Sequence, residues 1–173
     1  FLKLRKFNGE NMQAYAETYY PQYNRGNNKD NIFFEDDNYT YFLNQFKKYV
    51  EPFCEVYAYC LMPNHFHFFL KVTEVVAFEK GIKNFFISYS KSINKRYNRV
   101  GSLFQGRYKI SEVDTESYYP TIIMYIHQNL SRAGLVKNLK DYKYSSYPAY
   151  LSTKNTMIKK GNIKVSYTNL KYN

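Results

Sequence analysis

The segment from His65 to Val72 constrains the fold more than any other stretch of this chain. Its sequence, HFHFFLKV, is typical of a β-strand with one buried face. Side chains on a strand alternate between its two faces, so His65, His67 and Phe69 point one way. The residues that point the other way are all apolar, and we expect them in the core: Phe66, Phe68, Leu70 and Val72.

The two histidines on one face are a candidate metal site. A pair of imidazoles can hold a divalent cation if a third ligand arrives from elsewhere in the fold. The alternative is that they are half-buried polar residues with no ligand. The chain has only three histidines, and the third, His127, lies beside Tyr125 in sequence.

The net charge of this 173-residue chain indicates a polyanionic partner. It has 25 Lys and Arg against 14 Asp and Glu, a net charge of +11. No uninterrupted apolar stretch approaches the roughly 20 residues of a membrane-spanning helix, so we expect no membrane partner. The 21 Tyr and 14 Phe suit stacking on unpaired bases. Alternatively, these rings fill a core.

The two cysteines predict a reducing compartment. Cys54 and Cys60 fall in one candidate strand, which would hold them about 20 Å apart and exclude a disulfide between them. The first residues, FLKLRK, have no apolar region behind them and do not resemble a secretory signal. Both observations favour a cytoplasmic protein.

Hydrophobic periodicity predicts a mixture of strands and helices. Strands are expected over 19–24, 53–62 and 65–72, with Pro63 and Asn64 joining the last two as an antiparallel pair. An extended segment is expected over 103–110. Helices are expected over 39–50, with a cap at 36–38, within 76–98, and over about 118–131.

The third predicted helix carries a second candidate chemical group. Residues four apart on a helix lie on nearly the same side, so Tyr125 and Asn129 share a face and Gln128 is their neighbour. His127 points almost the opposite way, and we expect it to be structural.

Five short motifs follow one another along the chain. They are YNRGN (23–27), MPNHFH (62–67), GSLFQ (101–105), YIHQN (125–129) followed by RAGLV (132–136), and YSSY (144–147). In this order they resemble the single-tyrosine HUH transposases, specifically the REP-associated tyrosine transposase group. The resemblance covers about residues 19–151, and His65-Phe66-His67 fills the histidine-hydrophobic-histidine pattern.

The resemblance implies a fold and an activity. The fold is an α+β domain of the ferredoxin-like HUH type, with an antiparallel β-sheet packed against helices. A single domain would occupy residues 1–151, followed by a basic, polar C-terminal tail over 152–173. The activity is metal-dependent cleavage and rejoining of single-stranded DNA at REP-like hairpins, through a 5′-phosphotyrosine, in the cytoplasm of a bacterium beside its nucleoid. The protein would act as a monomer or a homodimer.

The resemblance also assigns residues. Tyr125 takes the place of the nucleophile, and His65, His67 and Asn129 take the places of the ligands of a divalent Mg or Mn ion. The family usually has Pro after that Asn, whereas this chain has Leu130. We expect DNA contacts from Arg25, Asn27, Lys29, Lys95, Arg96, Gln105, Arg107 and Lys109.

Other functions fit parts of the same pattern. A non-cleaving hairpin-DNA-binding protein would keep the basic, aromatic surface without needing Tyr125. An RNA-binding or replication-initiator relative would share the histidine strand, although initiators usually have longer chains. The pattern does not favour a zinc deaminase, because no Cys-x-x-Cys accompanies the histidines.

Overall fold

The computed structural model describes residues 19–110, 113, 115–152, 156–160 and 165. Most of the predicted tail, and residues 1–18 of the predicted domain, lie outside this range. The described strands are β1 (Tyr19–Arg25), β2 (Cys54–Met62), β3 (His65–Val72) and β4 (Lys109–Ile110). The α-helices are α1 (Asp36–Tyr49), α2 (Val75–Arg96), α3 (Tyr119–Arg132) and α4 (Tyr147–Leu151).

The four strands form one antiparallel sheet in the order β2-β3-β1-β4. The chain passes through β1, α1, β2, β3, α2 and β4 in turn, which is the ferredoxin-like βαββαβ arrangement. The predicted α+β fold with an antiparallel sheet is therefore confirmed. The strand with the two histidines lies inside the sheet, between β2 and β1.

Helices cover both faces of the sheet. Helices α1 and α2 pack on the face that carries Phe66, Phe68 and Leu70. Helix α3 packs on the other face, in a second apolar cluster that includes Phe69. The alternation predicted for β3 is confirmed, because His65 and His67 share the face of Phe69.

A β-bulge in β2 changes the alternation of that strand. The register to β3 shifts between Val56 and Ala58, so one extra residue lies on the β2 side. As a result Cys54 packs with the α1–α2 cluster and Cys60 with the α3 cluster, although they are an even number of residues apart. Both cysteines are buried and free.

Helix α1 begins three residues earlier than its hydrophobic pattern predicts. Residues 36–38 are its first turn and not its cap. The N-cap is Glu35, and the Asn38 side chain closes a capping box by accepting from the backbone N–H of Glu35 at 3.3 Å. Helices α2 and α3 lie within one or two residues of their predicted bounds.

The segment predicted to be extended over 103–110 is a strand only at Lys109 and Ile110. Leu103 and Phe104 are buried in the α1–α2 cluster, and Phe104 forms an isolated bridge with Gly26. Because Leu103 and Phe104 are held in the core, the polar residues that follow them, such as Gln105 and Arg107, are left exposed. None of the helices in the described part of the chain has the length and apolar character that a membrane span requires.

Gly81 lets α2 approach the end of α1. A Cβ atom at this position would lie 2.0 Å from the backbone oxygen of Tyr49. In an unobstructed helix, Gly to Ala stabilises by about 1 kcal/mol. We expect Gly81→Ala to lower the free energy of unfolding by about 1–2 kcal/mol, because overpacking outweighs helix propensity. Urea unfolding measures this value, with Asn84→Ala, at an exposed position of α2, as the control. A Gly81→Ala protein as stable as the wild type would contradict the close approach.

Candidate active site

Two imidazoles from β3 lie on the sheet face that α3 covers. The rings of His65 and His67 are 5.2 Å apart between centroids, and both are half-buried. In the register of the sheet, Tyr23 lies opposite His67 and Arg25 opposite His65. Residues directly opposite each other share a face, so the phenol and the guanidinium border the histidine pair.

Asn64 sets the orientation of the His65 ring. Its Oδ1 is 2.6 Å from Nδ1 of His65, and its Nδ2 donates to the backbone oxygen of Lys29 at 3.2 Å. The second bond fixes which end of the amide faces the imidazole, because two oxygens would repel. Nδ1 of His65 therefore carries the proton, and the lone pair of Nε2 is free to bind a cation.

Both imidazoles are neutral at pH 7. Burial lowers the pKa of His65 to about 4, with a smaller contribution from Arg25. Burial, and then the neighbouring His65, lower the pKa of His67 to about 3. A neutral ring is the form that binds metal ions, so neither histidine must lose a proton first.

Tyr125 projects from α3 toward the histidine pair. The centroid of its ring is 6.3 Å from that of His67, and its side chain is 43% exposed. The other tyrosine beside the imidazoles, Tyr23, has its ring centroid 5.0 Å from that of His67. Burial raises the pKa of Tyr23, although Arg25 partly offsets it. Of these two phenols, Tyr125 is the more exposed.

Asn129 lies one turn after Tyr125 on the same side of α3. Its Nδ2 donates to the backbone oxygen of Tyr125 at 2.9 Å, which leaves the lone pairs of Oδ1 for another partner. Leu130, where the family usually has Pro, is fully buried, and the helix continues to Arg132. A leucine here therefore leaves Asn129 on the helix face that carries Tyr125.

His127 lies on the opposite side of α3 and is fully buried, which confirms the structural role predicted for it. Its Nε2 is 2.7 Å from Oγ of Ser146. That Oγ also accepts from the backbone N–H of Tyr59 in β2 at 2.9 Å. The bonds join α3 to the sheet through the segment that precedes α4, so they support the helix that carries Tyr125.

A basic groove borders the site at the β1–β4 side of the sheet. It has a volume of about 130 Å³. Three of its lining residues are cationic, and one of these, Arg25, lies opposite His65 in the register. The lining residues are Tyr23, Asn24, Arg25, Gln105, Arg107 and Lys109.

The structure brings four of the predicted DNA-contacting residues into this groove: Arg25, Gln105, Arg107 and Lys109. Asn27 and Lys29 lie outside its lining, in the turn that Asn64 contacts.

Lys95 and Arg96 are not in the groove. They end α2, on the other side of the sheet, where Arg96 pairs with Glu35 at 2.7 Å and with Asp37 at 3.6 Å. Because this end of α2 is on the other side of the sheet from the histidine pair, the DNA contacts predicted for Lys95 and Arg96 gain no support from the structure.

The donor set fits a divalent cation. Two neutral imidazoles and one amide oxygen supply three donors, and the remaining coordination positions stay open to water or phosphate. Within the described residues, no group of three or more His, Cys, Asp or Glu could hold a metal ion. Burial raises the pKa of Cys60, which lies opposite His67, and so keeps it a thiol. The assignment of Asn129 as the third protein ligand stays a prediction.

Three residues around the site were not predicted as site residues: Tyr23, Asn64 and Arg132. Tyr23 could have been found from strand alternation, because it lies two residues from Arg25 on β1. Arg132 could have been found from helical periodicity, since it follows Tyr125 by seven residues. Asn64 has no such pattern, because its role depends on the turn geometry between β2 and β3.

Comparisons with known proteins bear on the family and the fold of this chain. A family model described as "Transposase IS200 like" matches residues 16–129. A solved structure of a REP-associated tyrosine transposase bound to a REP hairpin superposes with a TM-score of 0.64. It is 15% identical in sequence, and the match covers 93% of this chain and 95% of the other. No curated protein sequence matches the chain significantly.

The buried His127 predicts a pH dependence of stability. Burial lowers its pKa to about 3, whereas an unfolded histidine titrates near 6.5. Between those values the unfolded state binds the proton, so the free energy of unfolding falls as the pH decreases through this range. His127→Gln removes this titration. We expect the stability advantage of wild type over the variant to shrink by about 2–3 kcal/mol between pH 7 and pH 4.5.

Urea unfolding at the two pH values measures this difference. His65 and His67 titrate in both proteins and cancel in the comparison. If wild type is more stable than His127→Gln by the same amount at both pH values, His127 is not a neutral, buried imidazole.

Proposed function

We propose that this chain, which belongs to the IS200-like transposase family, cleaves and rejoins single-stranded DNA at hairpins through a covalent bond to Tyr125. The observation that supports this most is the meeting of Tyr125 with His67, 6.3 Å apart between ring centroids, across α3 and β3. The hairpin substrate is suggested by the similar solved structure, which was determined with a REP hairpin. We place the protein in the bacterial cytoplasm, beside its DNA.

The proposed reaction is an in-line displacement at phosphorus. The hydroxyl oxygen of Tyr125 attacks the scissile phosphate, and the bond from phosphorus to the 3′ oxygen breaks. The proton of the phenol is lost and the departing 3′ oxygen gains one, so the products are a 5′-phosphotyrosine and a free 3′ hydroxyl. Because the phosphodiester character is conserved, attack by another 3′ hydroxyl reverses the step and joins DNA without an energy source.

His65, His67 and Asn129 would hold a divalent Mg or Mn ion. Such an ion, when bound, polarises the scissile phosphate and offsets the charge that develops in the displacement. The neutral imidazoles and the Asn64 bond to Nδ1 of His65 keep the ligand nitrogens ready for binding. Loss of the Asn64 bond would leave the His65 ring free to turn.

The groove would hold the phosphates of the strand that enters the site. Arg25, Arg107 and Lys109 supply its positive charge, and Tyr23 adds an aromatic ring to its lining. Stacking and charge together suit an unpaired strand. Strand polarity and target sequence depend on contacts with the DNA itself.

A covalent adduct tests the proposed function directly. Hairpin oligonucleotides with single-stranded flanks, labelled at the 5′ or the 3′ end, are incubated with protein and Mn²⁺ or EDTA and separated on denaturing gels. We expect an adduct only on the fragment 3′ of the cut, only with Mn²⁺, and none with Tyr125→Phe.

Tyr118→Phe is the matched control, because Tyr118 is 50% exposed and lies just before α3. It should form the adduct as wild type does. Tight hairpin binding by wild type without any adduct would favour the non-cleaving alternative.

The salt dependence of binding tests the groove. For single-stranded DNA, each phosphate contact contributes about 0.7 to the slope of log affinity against log salt. We expect Arg107→Ala and Lys109→Ala each to weaken binding and reduce the slope by about that amount. Fluorescence anisotropy from low to moderate salt measures both quantities.

Lys48→Ala, an exposed charge at the end of α1, is the control and should leave the slope unchanged. Lys95→Ala decides whether the end of α2 also touches DNA. Equal slopes for the groove variants and wild type would exclude the groove as the DNA path.

A further inference from the structure

Arg132 lies over the ring of the proposed nucleophile. Its guanidinium carbon is 5.4 Å from the centroid of the Tyr125 ring, within the range of a cation–π contact. The two residues are seven positions apart on α3, which is almost two full turns, so they project from the same side. Asn129 lies between them on that side and bonds to the backbone of Tyr125.

Gln128 holds the guanidinium in place. Nη2 of Arg132 donates to Oε1 of Gln128 at 3.3 Å. Gln128 is half-buried and follows Tyr125 by three residues, so the phenol, the amide and the guanidinium form a row on the helix. Within the described residues, the guanidinium of Arg132 thus contacts the Tyr125 ring and the Gln128 amide.

Tyr125 needs such support because its surroundings give it little. Its side chain is 43% exposed, and the ring centroid of the neighbouring His67 is 6.3 Å from its own. An exposed tyrosine on a helix surface has more than one accessible χ1 rotamer. Misplacement of a reacting group by about 1 Å can reduce the rate about 10²-fold.

We infer that Arg132 and Gln128 form a clamp that holds the Tyr125 ring toward His65 and His67 before it attacks DNA. Arg132 is thus a positioning residue that acts through Tyr125, and its role differs from that of a residue that only binds a DNA phosphate. The planar guanidinium is essential to this role because it can stack on the ring and donate to Gln128 at the same time. A lysine ammonium does not stack in that way. The inference rests on the proposed function.

Single-turnover kinetics separate the clamp from a phosphate contact. Adduct formation is followed at saturating DNA to give the rate constant of cleavage, and binding is measured separately. For Arg132→Ala we expect a rate constant about 10–100-fold lower, with affinity for DNA changed by less than about threefold. A phosphate contact would instead weaken binding, reduce the salt slope and leave the saturated rate unchanged.

Two further variants sharpen the distinction. Arg132→Lys keeps the charge, so it should bind DNA as wild type does and recover the cleavage rate only in part. Gln128→Ala leaves the guanidinium intact and should still lower the rate, by about 3–10-fold, because the clamp loses its anchor. Lys140→Ala, which removes an exposed charge beyond α3, is the matched control and should behave as wild type. Wild-type rates for both Arg132→Ala and Gln128→Ala would overturn the inference while leaving the proposed function intact.

A measurement without DNA tests the clamp even if wild type forms no adduct and the proposed function fails. The NMR signal of the Arg132 Nε–H should carry a ring-current shift in wild type and in Tyr125→Phe, which keeps the ring. The shift should disappear in Tyr125→Ala and decrease in Gln128→Ala. A signal that is the same in all four proteins would overturn the clamp.

Discussion

The site depends on the two-sidedness of β3. One face of this strand must bury Phe66 and Phe68 beneath α1 and α2, and this burial fixes which face His65 and His67 occupy. A slip of one residue in the register would place the phenylalanines under α3 and the imidazoles in the core, at a cost of several buried aromatic rings. The hydrophobic core therefore specifies the chemical face, and β1 completes it by placing Tyr23 and Arg25 opposite the histidines.

Helix α3 reaches that face through a polar contact on its far side. Its apolar residues pack on the sheet, but apolar packing alone tolerates rotation and sliding of a helix. His127 adds direction, because its ring bonds to Ser146, which in turn bonds to the backbone of Tyr59 in β2. A neutral, buried imidazole on one side of α3 thus fixes the angle at which Tyr125 leaves the other. The YIHQN and YSSY motifs, the last two in the motif order, meet at this contact.

The sequence predicted those features that follow from a local period. Alternation placed the histidines of β3, and helical spacing paired Tyr125 with Asn129 and turned His127 inward. The extra residue in β2 was not predictable, since a bulge is set by how two strands fit together, and it moves Cys54 and Cys60 to opposite faces. The DNA-contacting residues were predicted only in part. The predictions at Arg25, Arg107 and Lys109 fall in the groove. The sequence has no local signal for the ion pair that Arg96, at the end of α2, makes with Glu35.

Leu130 connects the departure from the family pattern to the inferred clamp. Proline inside a helix removes a backbone donor and clashes with the preceding turn, which bends or ends the helix. With leucine, α3 continues without a break through Arg132, and the buried side chain adds to the core beneath it. An unbroken helix is what places a guanidinium two turns beyond Tyr125 on the same side. Leu130, the departure from the family next to the proposed metal ligand, thereby favours a straight row of Tyr125, Gln128 and Arg132. In that row the nucleophile is supported from its own helix.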